Sequence, residues 1–102
     1  GSPFGTIAYF PREAVTVSGE RREFTRQTDT GNSFTTGFCA ECGATVYAKA
    51  SRLPAITGVP VGAFADPSFA APIHSVHEQR KHEWLKVPEG LTHHPRGRDS
   101  SW

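Results

Sequence analysis

The stretch that most constrains this chain is Phe38-Cys39-Ala40-Glu41-Cys42-Gly43-Ala44, where two cysteines stand two residues apart and a glycine follows the second. That spacing aims both sulfurs at one point, and Gly43 closes the turn so that backbone amides can face the sulfurs. The flanks Ser33-Phe34-Thr35-Thr36-Gly37-Phe38 and Thr45-Val46-Tyr47-Ala48-Lys49 are rich in β-formers. The pattern therefore predicts a hairpin with the cysteine loop at its tip. Paired thiolates in such a knuckle suit a tetrahedral zinc ion, with Cys39 and Cys42 as metal ligands. A closed zinc site takes four ligands, and these are the chain's only two cysteines. The pair reads as a structural half-site, either empty or shared between chains. The competing readings are a disulfide and a redox pair. A redox Cys-x-x-Cys ordinarily opens a helix, and no helical periodicity follows Cys42.

Composition bounds the rest. At 102 residues the chain is one domain, with 36% hydrophobic residues and a mean hydropathy of −0.44. Ten glycines and eight prolines cut it into short pieces, which favours brief strands and turns over helices. Eleven basic against ten acidic residues leave a formal charge of +1, so nothing general points to nucleic acid or an anionic membrane as partner. No apolar run approaches the ~20 residues that span a bilayer. Two cysteines in knuckle spacing suit a reducing compartment, so a cytoplasmic location is expected.

Along the chain, Thr6-Ile7-Ala8-Tyr9-Phe10 and Val15-Thr16-Val17 read as strands, with one helical turn at Pro11-Arg12-Glu13-Ala14 between them. Glu20 to Arg26 reads as an exposed edge strand with Phe24 turned inward. Ala55 to Phe64 reads as a buried strand with a bulge, and Asp66-Pro67 as the cap and first residue of a short helix. Ile73 to His77 resumes an extended pattern, and Trp84 to Val87 is apolar enough to pack back. The expected organisation is a domain over 1–91 and a flexible tail over 92–102. Phe4, Tyr9, Phe10, Phe34, Phe38, Phe64 and Trp84 are expected in the core. On a strand His74 and His77 fall on opposite faces, one packed and one solvated. His93-His94 lies in the tail, and His82 has no evident partner. Arg21-Arg22 and Arg80-Lys81 could meet carboxylates but read as solvated faces.

Taken in order, several of these stretches resemble the glutathione-dependent formaldehyde-activating enzyme family, which includes centromere protein V. The pieces are Gly1-Ser2-Pro3-Phe4-Gly5-Thr6 with Phe10-Pro11, Val15-Thr16-Val17-Ser18-Gly19, the knuckle, Val59-Pro60-Val61-Gly62-Ala63-Phe64 with Asp66-Pro67, and Pro72 through His74 to Trp84. Gly1-Ser2 fits that pattern as native sequence rather than a cloning remnant. The resemblance implies a mainly β, β-tent fold of antiparallel sheets with a zinc-knuckle hairpin, here without its N-terminal strands. It implies two cysteine groups ahead of this chain. One would complete the structural zinc; the other, a Cys-x-Cys-x-x-Cys cluster, would hold a catalytic zinc. The implied activity is that of a carbon-sulfur lyase on S-hydroxymethylglutathione, with glutathione as the small-thiol partner. The catalytic residues are unknown, and since none of that cluster's three ligands is among these residues, this form of the chain is expected to be inactive. An open sheet edge leads us to expect a homodimer. The alternatives are a small zinc-knuckle interaction module and a thiol redox protein acting through Cys39 and Cys42.

Overall fold

The short strands that glycine and proline impose are joined into a sheet by backbone pairing between neighbours. The computed structural model describes residues 2–102; Gly1, read above as native sequence, lies outside the described residues. Within Ile7–Pro67 there are five strands: β1 Ile7–Pro11, β2 Arg21–Gln27, β3 Ser33–Cys39, β4 Thr45–Ala50 and β5 Ile56–Pro60. They form one antiparallel sheet in the order β1-β5-β4-β3-β2. The chain is mainly β, as its sequence predicts. Strands β2, β3 and β4 form a meander, and β5 lies between β4 and β1.

Direct cross-strand pairs share a face of a sheet. The pairs Tyr9↔Gly58, Gly58↔Ala48, Ala48↔Thr36 and Thr36↔Phe24 therefore make one row across all five strands on one face. The adjacent row, Tyr47↔Gly37↔Glu23, lies on the other. Each row contains a glycine because an aromatic ring lies against the backbone there. A β-carbon on Gly37 would come within 2.1 Å of Tyr47 Cζ, and one on Gly58 within 2.8 Å of Ile7 Cγ2 and 3.2 Å of Tyr9 Cε1. Tyr47 is only 2% exposed, and with Ala48, Thr57, Gly37 and Gly58 it makes up the buried centre of the sheet.

That centre is smaller than the sequence suggests. Phe4, Tyr9, Phe64 and Trp84, expected in the core, are exposed, and Phe24 on edge strand β2 is 61% exposed rather than turned inward. Phe24 sits at the outer end of its row, on the edge strand of this five-stranded sheet. Phe10 meets the Phe64 ring edge-on at 6.0 Å, and the Arg26 guanidinium covers Phe34 at 5.1 Å. The helical turn expected after Pro11 is present as a 3-10 turn at Arg12–Ala14. Val15-Thr16-Val17 is irregular and pairs with no strand among the described residues. The run after Ala55 stops being a strand at Pro60, which has no amide hydrogen, and continues as a 3-10 turn over Val61–Phe64. Asp66-Pro67 leads into a turn and not a helix.

The second compact unit comprises residues up to Thr6 with Ser68–Trp102. Its strands β6 His74–Ser75 and β7 Thr92–His93 pair in parallel. Secondary structure thus continues past residue 91, and His94 is buried at 8% exposure. The His94 amide donates to the Ser75 carbonyl at 2.8 Å, and the His77 amide to the Arg96 carbonyl at 2.8 Å.

Candidate functional site

The hairpin tip is built by three local features. Strand β3 ends at Cys39, whose amide donates to the Ala44 carbonyl at 2.9 Å, and the Gly43 amide donates back to the Cys39 carbonyl at 2.9 Å. Gly43 takes φ +78°, a left-handed conformation open to glycine without a Cβ penalty. Between these closures Ala40-Glu41-Cys42 turns tightly enough to bring Cys42 back over Cys39. Hydrogen bonds from the Cys42 backbone, the Glu41 backbone and the Cys42 side chain converge on Cys39 and hold its thiol below the ordinary thiol range, against a smaller opposing effect of burial. Both cysteines are free thiols, Cys39 half-buried and Cys42 exposed. Amides aimed at a sulfur favour its anionic form, the form that binds metals and acts as a nucleophile.

This donor set fits half of a thiolate zinc site. Two sulfurs brought together under backbone amides match the chemistry of such an ion, yet among the described residues no group of three or more His, Cys, Asp or Glu side chains is arranged to hold a metal. The histidines stand elsewhere. His74 Nδ1 lies 3.1 Å from His94 Nε2, Arg98 Nη2 lies 3.0 Å from His74 Nε2, and His94 Nδ1 lies 2.8 Å from the Ser100 carbonyl. His93 Nδ1 meets Glu78 Oε1 at 2.6 Å, His82 stacks on Trp84 with ring centres 5.4 Å apart, and His77 begins a 3-10 turn at Glu78–Arg80 with φ +57°.

A second polar cluster lies on the face of the sheet that carries Tyr47. The Tyr47 hydroxyl receives a hydrogen bond from Arg21 Nε at 3.2 Å and donates one to Glu23 Oε2. Burial, and next the bond to Glu23, push the Tyr47 phenol above its ordinary value. Arg21, read from sequence as part of a solvated pair, is thereby tied to the buried tyrosine. Only the alternation along β2, which puts Arg21 and Glu23 on one face, hinted at this cluster. The His74–His94 contact had no sequence signal, because twenty residues separate its members.

Residues 1–80 match the family model described as Glutathione-dependent formaldehyde-activating enzyme. No curated protein and no solved structure gives a significant match. No helix among the described residues is long and apolar enough to cross a membrane. A match over 80 of 102 residues that takes in the hairpin, its thiol pair and the whole five-stranded sheet places this chain in the glutathione-dependent formaldehyde-activating enzyme family, with a function related to glutathione and formaldehyde.

Proposed function

We propose that the chain is a carbon-sulfur lyase relative acting on S-hydroxymethylglutathione, the adduct of glutathione and formaldehyde, with zinc as its metal and the cytoplasm as its location. The family match over residues 1–80 carries this reading. In the cleavage direction the carbon-sulfur bond breaks and its electron pair goes to sulfur. The hydroxyl oxygen loses its proton as the carbonyl of formaldehyde forms, and a proton returns to sulfur. Nothing is oxidised or reduced. A thiolate-bound zinc ion would supply positive charge that stabilises sulfur as an anion near neutral pH. Cys39 and Cys42 would hold a zinc ion as a structural pair, which would fasten the tip of the β3–β4 hairpin rather than take part in the carbon-sulfur chemistry. The test is exchange of S-hydroxymethylglutathione with free glutathione and formaldehyde, followed by NMR with zinc present. Exchange faster than the spontaneous reaction supports the lyase reading; equality with the spontaneous rate removes it and leaves ancestry alone.

A second reading is favoured by the exposure of Cys42 and by the lack of a third donor beside the pair among the described residues. Two copies, each giving Cys39 and Cys42, would share one four-sulfur zinc and form a homodimeric interaction module. Metal content measured with solution mass discriminates the two. One zinc per two chains, with the dimer lost in Cys42→Ser, supports sharing; a zinc-free monomer rules it out.

A further inference from the structure

We propose that the end of the sheet away from the thiol pair carries a binding site for a small oxyanion, a phosphate or a carboxylate, between Arg12 and Lys49. A cavity of about 260 Å³ opens there, and these two are its only charged lining residues; no Asp or Glu lines it. The register explains why the cations converge. Lys49 on β4 pairs directly with Thr35 on β3, and Arg12 follows β1 with its amide bonded to the Ala55 carbonyl at 2.8 Å. Neither cation has an ion-pair partner among the described residues. The Lys49 ammonium stands 5.3 Å from the centre of the Tyr47 ring, a contact that fixes its position and neutralises none of its charge.

One hydroxyl in the cavity, that of Ser51, is set to donate. Ser51 Oγ already accepts from the Ser33 amide at 2.9 Å, which commits a lone pair and leaves its hydrogen free. Thr35 Oγ1 is held at 2.8 Å from Thr25 Oγ1, so its orientation is fixed from the neighbouring strand. A guanidinium fork, an ammonium and a free hydroxyl hydrogen around one cavity form a donor-rich, acceptor-poor lining, which is what an anion with several oxygens requires. Leu53 and Pro54 supply an apolar wall. The volume lies just below the ~300 Å³ at which drug-sized ligand sites begin, so the ligand class is a small molecule with one oxyanion head. This site shares no residue with the thiol pair and does not rest on the lyase reading.

The test titrates inorganic phosphate and, separately, succinate into isotopically labelled protein at low salt. Saturable shifts of the Arg12, Thr35, Lys49 and Ser51 amides are expected with at least one probe. Which probe binds more tightly identifies phosphate or carboxylate as the head group. The double variant Arg12→Gln, Lys49→Gln should weaken binding by about tenfold or more, since each lost partner is a charge-assisted hydrogen bond. Arg80→Gln with Lys86→Gln removes the same net charge elsewhere and should leave affinity unchanged. Cys39→Ser with Cys42→Ser should also bind normally, which keeps this result separate from the zinc and lyase tests. Equal losses in the two charge-removal variants, or no saturable shift with either probe, would overturn the proposal.

Discussion

The five-stranded sheet and the β6–β7 unit are held together by different forces. The sheet relies on backbone ladders and a few close steric fits. Its buried residues are Tyr47, Ala48, Thr57 and two glycines, and the one titratable group among them, Tyr47, ionises far above neutral pH. The β6–β7 unit has two-residue strands, a buried histidine and a chain of side-chain hydrogen bonds that depends on which ring nitrogens carry protons. One region should be sensitive to volume and indifferent to mild acid, and the other should show the reverse.

The largest expected effect is on the sheet. Gly37→Ala places a methyl group 2.1 Å from Tyr47 Cζ, far inside contact distance, and the ring has no open space because Tyr47 is buried. Overpacking of this kind costs about 1–3 kcal/mol, and displacing the Arg21–Tyr47–Glu23 bonds takes the expected loss to the upper end of that range. For a chain of this size that lowers the melting temperature by about 10 °C or more. A circular-dichroism melt of the variant that coincides with the parent's would show that the Tyr47 ring does not rest on Gly37.

The next effect concerns acid. Arginine only donates, so Arg98 donates to His74 Nε2; His74 Nδ1 must then carry the hydrogen that His94 Nε2 accepts, and His94 Nδ1 donates to the Ser100 carbonyl. The chain Arg98–His74–His94–Ser100 runs in one direction and requires both imidazoles to be neutral. Burial first, then the Arg98 charge, then His94, hold the His74 pKa below 6.5. The Glu78 carboxylate is bonded instead to His93 Nδ1, at 2.6 Å. The unfolded chain therefore takes up the His74 proton at higher pH than the folded one, so this stability is complete above about 6.5 and is lost as pH falls through the lowered value. Amide exchange, corrected for intrinsic rates, should show the His77, Thr92 and His94 protons losing protection between pH 7 and pH 5. The β3 and β4 protons should keep theirs. Uniform behaviour of both sets would erase the contrast.

The sequence showed best what is decided over a few residues. The cysteine loop with Gly43, the β3–β4 hairpin around it, the 3-10 turn after Pro11 and the edge position of the charged β2 all follow from local turn chemistry or alternation. It showed poorly what is decided by distant partners. Val15-Thr16-Val17 alternates like a strand yet finds no neighbour to pair with, and Phe24 has the right parity for its apolar row but lies at the row's open end. The histidine-rich end looks like a solvated tail because its residues are polar. Its order comes from His74 and Ser75, about twenty residues earlier, which no local pattern connects to it.

A smaller effect sharpens the sheet's side of the contrast. Tyr47→Phe keeps the ring against Gly37 and removes only the hydroxyl that links Arg21 to Glu23. Those two residues are exposed and can turn to water, so the cost is that of ordinary hydrogen bonds, about 1 kcal/mol, measured as a shift in the denaturant midpoint with an unchanged slope. A loss as large as that of Gly37→Ala would mean that the polar cluster, and not the fit of ring to glycine, holds the centre of the sheet.

The smallest effect is expected at Phe24. A phenyl ring in the interior of a sheet costs about 3–5 kcal/mol to remove, but at 61% exposure Phe24 has little contact to lose. Phe24→Ser should therefore change unfolding free energy by no more than about 0.5 kcal/mol, the usual range for surface positions. Equilibrium urea unfolding at two protein concentrations gives this prediction two ways to fail. A loss of several kcal/mol at both concentrations would put the ring in a core within the chain. A loss that grows with protein concentration would mean that a second copy covers the row from Tyr9 to Phe24, since only association makes stability depend on concentration.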